Sequence, residues 1–171
     1  MGEESRDDVT FDDVMTMCQS KYLDHIISKF DLSDSHPKPA PCDPSFSKED
    51  FENSPLLENS KLYREIIGSL IYVMTATRPD ICFVVTKLSQ SLSKPTIAHL
   101  NAAKSVLKYL KGTSGYKLSY HKQEEDLNLF GFCDSDWASS QDRRSISGYC
   151  FFLHSDGPLI SWQSKKQYVR S

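Results

Sequence analysis

The hydrophobic period of this chain changes once, near Gly115, and that change constrains its fold more than any other feature. Upstream, Tyr63, Ile66, Ile67, Leu70, Ile71 and Met74 form a single apolar stripe over roughly residues 61–76, the mark of an amphipathic helix. A second helix is entered at TRPD, where Pro79 suits a first-turn position and Asp80 the positive end of the helix dipole. Ile81, Val84, Val85, Leu88 and Leu92 carry its buried face. A third opens at KPT, buries Ile97, Leu100, Ala103, Leu107 and Leu110, and is expected to stop at Gly112. Short loops between the three imply antiparallel neighbours. Downstream, YKLSY, LNLFGFCD, GYCFFLHS and PLISWQS are short, aromatic-rich and separated by turn residues. They predict a β-meander over about residues 116–164, its Tyr, Phe and Trp side chains serving as core. The fold class is therefore α+β: a small antiparallel helical bundle followed by an antiparallel β-meander.

Before the bundle, Cys18, Tyr22, Leu23, Ile26, Ile27 and Phe30 recur at helical spacing, and a strand near Val14–Met17 leads into them. The next stretch, 32–59, holds five of the eight prolines. Pro37, Pro39, Pro41 and Pro44 remove donors and force their predecessors into extended backbone. A linker lying partly extended over a surface is expected there. The organisation is then an acidic segment and helix at 1–31, a Pro-rich linker at 32–59, the bundle at 60–115 and the strands at 116–171.

The net charge of −3 conceals an asymmetry. Lys and Arg number 5 against 14 Asp and Glu in residues 1–60, 10 against 2 in 61–123, and 5 against 7 in 124–171. A basic middle between acidic flanks fits a polyanionic partner, although lysines solvating helix surfaces give the same count. No apolar run approaches the roughly 18–20 residues that span a bilayer, and MGEESRDDVTFDD is not a secretory or transit signal. The expectation is no membrane partner and a cytoplasmic location by default. The five cysteines are scattered without a CxxC pair, which suits a reducing compartment.

Three features carry candidate chemistry. In GFCDSDWA, Asp134 and Asp136 stand two apart at the end of an apolar strand, so both project from one face. Paired oxygen ligands of that kind hold Mg²⁺ for phosphoryl transfer; a solvated Asp134 followed by a strand-ending Asp136 is the plainer reading. Lys104, Lys108 and Lys111, at i, i+4 and i+7, line one side of the third helix with Lys94 ahead of them. Such a row either tracks a nucleic-acid backbone or solvates an exposed face. Between two strands, DRRSISGY offers Arg143 and Arg144 to a phosphate backbone, or forms a hydrogen-bonded hairpin connection.

The blocks YREIIGSLIYV–TRPDI and DSDWA–DRRSISGY–ISWQSKKQ, in this order, resemble the Pol polyprotein of copia-type LTR retrotransposons, and the likeness runs from about residue 18 to 167. The resemblance implies that residues 14–123 correspond to the C-terminal, thumb- and connection-like part of a reverse transcriptase. Residues from about 127 onward correspond to the opening strands of an RNase H fold. It implies Asp134 as the first metal-binding aspartate of that nuclease, Asp136 as runner-up, and Mg²⁺ as the metal of the intact family. The third helix would lie near an RNA–DNA hybrid or DNA duplex. The family's YVDD-type polymerase pair has no counterpart here, and Tyr168-Val169-Arg170-Ser171 stands where an SSTEAEY-like helix is expected.

The expectation is a truncated, catalytically inactive Pol fragment that binds no metal stably, retains weak hybrid affinity and self-associates through an exposed sheet edge. The alternatives are a segment of a longer active reverse transcriptase and RNase H, and a domesticated module that binds protein.

Overall fold

In the computed structural model, which describes residues 14–42, 48–121, 128–135, 145–153 and 157–167, helices give way to strands after Gly115 as the change of period requires. The order is β1 (Val14–Met17), α1 (Ser20–Lys29), α2 (Lys48–Asn53), α3 (Lys61–Ala76), a 3₁₀ turn at Pro79–Ile81, α4 (Cys82–Ser89), α5 (Ile97–Gly112), β2 (Leu118–His121), β3 (Phe130–Ser135), β4 (Ile146–Phe152) and β5 (Leu159–Lys166). Among the described residues the architecture is mixed α+β, with five α-helices and two antiparallel sheets.

The core lies among α1, α3, α4 and α5. Tyr63, Ile66, Ile67, Leu70 and Val73 of α3 are wholly buried against Leu23 and Ile26 of α1, Val85 of α4, and Ala103, Val106, Leu107 and Leu110 of α5. Each large apolar side chain so removed from water contributes about 1.5–3 kcal/mol before entropy is charged against it. The Tyr63 hydroxyl, buried with its ring, donates to the Leu88 carbonyl at 2.7 Å. That bond satisfies the one polar atom its burial would otherwise strand.

Several expectations need correction. Residues 32–59 are not irregular throughout: Lys48–Asn53 form α2, and Phe51 and Leu57 pack partly against the core. The Leu57 N–H donates to the Pro95 carbonyl and the Ile97 N–H to the Pro55 carbonyl, both at 2.9 Å, so this segment is tied to the entry of α5. α5 stops at Gly112 as expected, but Thr113 and not the glycine is the cap, and a Cβ on Gly112 would meet that of Pro37 at 2.9 Å. Its bareness serves the close approach of the Pro-rich segment. Ile97 at the start of α5 is exposed, and Ala102, Val106 and Tyr109 are buried instead.

A further correction concerns β2, which pairs with β1 rather than continuing the meander, in the register Val14↔His121 to Met17↔Leu118. The Ser20 hydroxyl, at the start of α1, donates to the Ser114 carbonyl just past α5 at 3.0 Å. The strand before one helix and the strand after the other are thereby brought side by side.

The meander proper is β3–β4–β5, antiparallel throughout, with a register shift at Phe151/Phe152. It is tied to the helices from one side. The Trp162 indole N–H donates to the Met74 carbonyl at 2.7 Å, and the Thr86 hydroxyl to the Ser164 carbonyl at 3.0 Å. Contrary to expectation, Tyr149 and Phe151 stay exposed rather than forming core.

Candidate functional site

The α5 helix has two faces of opposite character. Ala103, Val106, Leu107 and Leu110 turn into the core, which leaves Asn101, Lys104 and Lys108 on the other side. Lys104 and Lys108 are half-buried, one turn apart, and the helix contains no carboxylate. Two ammonium groups at that spacing sit on one line along the helix. Lys94 is exposed on the loop that enters it. Thr96 caps the helix: its hydroxyl accepts from the His99 N–H, while His99 Nδ1 accepts from the Thr96 N–H at 3.3 Å. Burial holds the His99 imidazole below its ordinary pKa.

Lys111 is engaged differently. Its ammonium donates to the carbonyls of Ser33 and Ser35, the latter at 2.7 Å, which fastens the start of the Pro-rich segment to α5. Three lysines read as one row from the sequence thus divide, two facing outward and one holding a loop.

Asp134 is exposed near the end of β3, opposite Gly148 of β4. Its Oδ1 accepts from the Ser135 N–H at 2.8 Å. Asp136, Arg143 and Arg144 lie outside the described residues. Among the described residues no group of three or more His, Cys, Asp or Glu converges in a way that holds a metal ion. A site for two Mg²⁺ ions needs several carboxylates, and Asp134 is the one that the described residues place at the end of β3.

Asp134 borders a cavity of about 410 Å³ between the helix-facing side of the meander and the corner of the 3₁₀ turn and α4. Pro79, Cys82 and Phe83 form one wall, and Phe132, Cys150 and Trp162 the other. Burial raises the Cys82 thiol pKa. The lining is aromatic and apolar, with the carboxylate at its rim.

The sequence reading missed the most elaborate polar cluster. Arg78 is only 2% exposed. Its Nε and Nη2 donate to Asp80 at 2.9 and 2.7 Å, its Nη1 to the Thr113 carbonyl at 2.9 Å, and Nη2 again to Thr113 Oγ1 at 2.6 Å. The Tyr109 hydroxyl donates to Asp80 at 2.8 Å, and the rings of Tyr109 and Tyr116 lie 5.4 and 5.2 Å from the guanidinium. Burial alone would raise the Asp80 carboxyl; the hydrogen bonds from Arg78 and Tyr109, with the Arg78 charge, outweigh it and hold the group below its usual range. The cluster locks the 3₁₀ turn onto the end of α5. Its signal in TRPD was the arginine directly before Pro79 with a carboxylate two residues on.

No helix among the described residues is long and apolar enough to cross a membrane. The chain is 36% identical over 162 residues to an uncharacterized mitochondrial protein of Arabidopsis thaliana, covering 88% of this chain and 61% of the relative. It is 35% identical over 152 residues to the retrovirus-related Pol polyprotein from transposon RE1 of Arabidopsis thaliana, covering 88% of this chain and 10% of that protein. The Pol polyprotein from transposon TNT 1-94 of Nicotiana tabacum is 34% identical over 158 residues, covering 88% of this chain and 12% of that protein. The chain therefore spans about six-tenths of the mitochondrial relative and about a tenth of each polyprotein. No family model matches the chain, and no solved structure matches it.

Proposed function

The chain belongs to the Pol polyproteins of copia-type retrotransposons, and from that membership we propose that it joins the last helices of a reverse transcriptase to the first strands of an RNase H domain. In this reading it holds the backbone of an RNA–DNA hybrid or DNA duplex and does not cleave it unaided. The observation that carries the proposal is the outer face of α5. Lys104 and Lys108 stand in line there, with Lys94 at the entry and no carboxylate on the helix to oppose a phosphate.

Lysine contacts of this kind release condensed counterions, so affinity falls steeply with salt. Asp134 would be one ligand of the nuclease metals in the intact polyprotein. Hydrolysis would need further carboxylates brought to it. The open edges of β3 and β5, the outer strands of the meander, would be where a second copy adds.

The test is binding of a labelled RNA–DNA hybrid across a salt series, with Lys104→Glu/Lys108→Glu beside the parent chain. Loss of binding, with a salt slope shallower by about 2, is expected for the double variant. Equal binding by both would overturn the α5 assignment. The same hybrid incubated with Mg²⁺ should stay uncut, and cleavage that disappears in Asp134→Asn would show instead a working nuclease.

A further inference from the structure

We propose that residues 33–38 are an autoinhibitory strap, which withholds Lys111 from the basic face of α5 and sets a carboxylate beside it. The proposal rests on the reading of that face as a nucleic-acid contact and concerns how its capacity is controlled.

The place of the strap follows from helix geometry. Residues four apart lie nearly in line along a helix, so Lys104, Lys108 and Gly112 form one stripe, with Lys111 beside its C-terminal end. The strap crosses that stripe one turn beyond Lys108. On one side the Lys111 ammonium donates to the carbonyls of Ser33 and Ser35. On the other, a Cβ on Gly112 would lie 2.9 Å from Pro37 Cβ and 3.8 Å from the Lys38 carbonyl oxygen. Between them the Lys38 N–H donates to the Lys108 carbonyl at 3.3 Å. A side chain at Gly112 would stand where Pro37 now lies.

The strap is hinged on the core and lightly held at its tip. Leu32 is buried, and the Ser35 N–H and hydroxyl both donate to its carbonyl, at 3.1 and 2.6 Å. Beyond that turn Ser33, Asp34, His36 and Pro37 are exposed, and no side chain in residues 33–38 is buried. What holds this segment to α5 is the set of polar contacts at Lys111 and Lys108 and the fit of Pro37 against bare backbone. Segments with few buried apolar contacts open at far lower free energy than the core.

Closing the strap changes what a polyanion meets. Lys104, Lys108 and Lys111 together would offer three cations to a phosphate backbone; with Lys111 given to the Ser33 and Ser35 carbonyls, two remain. Asp34 lies between those two serines and is exposed, so a carboxylate comes with them to the end of the lysine row. A negative charge there opposes phosphate. Mere support of the helix end would make loosening the strap weaken binding, whereas inhibition gives the opposite sign.

The experiment measures binding of the labelled RNA–DNA hybrid by the 171-residue chain across a salt series, with Gly112→Leu as an uncharged wedge beneath Pro37. The wedge should tighten binding about five- to tenfold near 0.1 M salt and steepen the salt slope by about 1, the effect of one added phosphate contact. Adding Lys111→Met to the wedge should cancel both gains, while Lys111→Met in the parent should leave the slope unchanged. Asp34→Asn should tighten binding less than the wedge does. A folded wedge variant that binds no better than the parent would overturn the proposal, as would a gain that survives Lys111→Met. Acetylation by an amine-reactive ester, read by mass spectrometry, tests the strap without nucleic acid. Lys111 should react more slowly than Lys94 in the parent and match it in the wedge variant. Equal rates in the parent would overturn the strap, and that comparison decides should the wedge variant unfold on melting. Hybrid ignored by parent and wedge alike, with Lys111 protected as expected, would instead overturn the α5 reading and with it the inhibitory role.

Discussion

The helices and the meander use the same kinds of apolar residue to opposite ends. In α3 and α5 the stripe closes on itself, and Ile66, Leu70, Val106 and Leu107 see no solvent. In β3, β4 and β5 no apolar side chain among the described residues is fully buried, and Phe132 is 59% exposed although it faces the helices. The helical part satisfies its own hydrophobic demand. The sheet is held to the rest by side-chain hydrogen bonds through Trp162, Thr86 and Tyr120, whose hydroxyl donates to the Leu159 carbonyl at 3.0 Å, and it leaves aromatic surface at the cavity and on its outer face. Stability therefore resides in the helical region, while the sheet leaves its aromatic side chains partly in water.

Replacing one core and one sheet residue tests this division most severely. Leu70→Ala should cost about 4 kcal/mol, since a wholly buried leucine loses both its transfer energy and its packing. Phe132→Ala removes a larger side chain from a more exposed site and should cost less than about 1.5 kcal/mol. Urea melts of both variants check the pair, and equal losses would erase the distinction. A somewhat smaller effect is expected at the turn that joins α5 to the rest. Asp80→Ala leaves the Arg78 guanidinium buried with only the Thr113 oxygens as acceptors, and removing one partner of a buried pair costs about 3 kcal/mol. Hydrogen exchange should then show the Pro79–Ile81 turn and the end of α5 opening together, with the strands little changed.

How much of this was legible depended on whether a signal was periodic or relational. The α3 stripe from Tyr63 to Leu70 was legible because burial repeats every turn, and Val14–Met17 was legible as a strand. The pairing of β1 with β2 was not, because it follows from α1 and α5 setting Ser20 against Ser114, a relation no local pattern records. The same holds for Gly112, whose partner Pro37 lies far off in sequence. At the candidate site, Asp134 and the lysines were visible as residue types at strand and helix spacing. That Lys111 would hold the Ser33 and Ser35 carbonyls while Lys104 and Lys108 face outward required the fold of the Pro-rich segment. Tyr149 and Phe151 alternate as a buried face would, and alternation alone does not say which face is covered.

The smallest expected effect separates the two regions by pH. His99 Nδ1 accepts the Thr96 N–H, with its ring 4.6 Å from that of Phe51, and burial lowers its pKa. The unfolded chain therefore binds a proton at higher pH than the folded one. Stability contributed here is fully present above the unfolded value of about 6.5 and is lost as pH falls from there through the folded pKa. A protonated Nδ1 no longer accepts, so one arm of the reciprocal cap is broken and the loss should stay near 1 kcal/mol, the worth of a cap. His99→Gln keeps an acceptor suited to that position without titrating near neutrality. Thermal melts between about pH 7 and 5.5 should show the parent chain losing stability relative to this variant, with hydrogen exchange rising first at the start of α5. A parent and variant that fall in parallel would place the acid sensitivity elsewhere and leave the helical region as indifferent to pH as its apolar core.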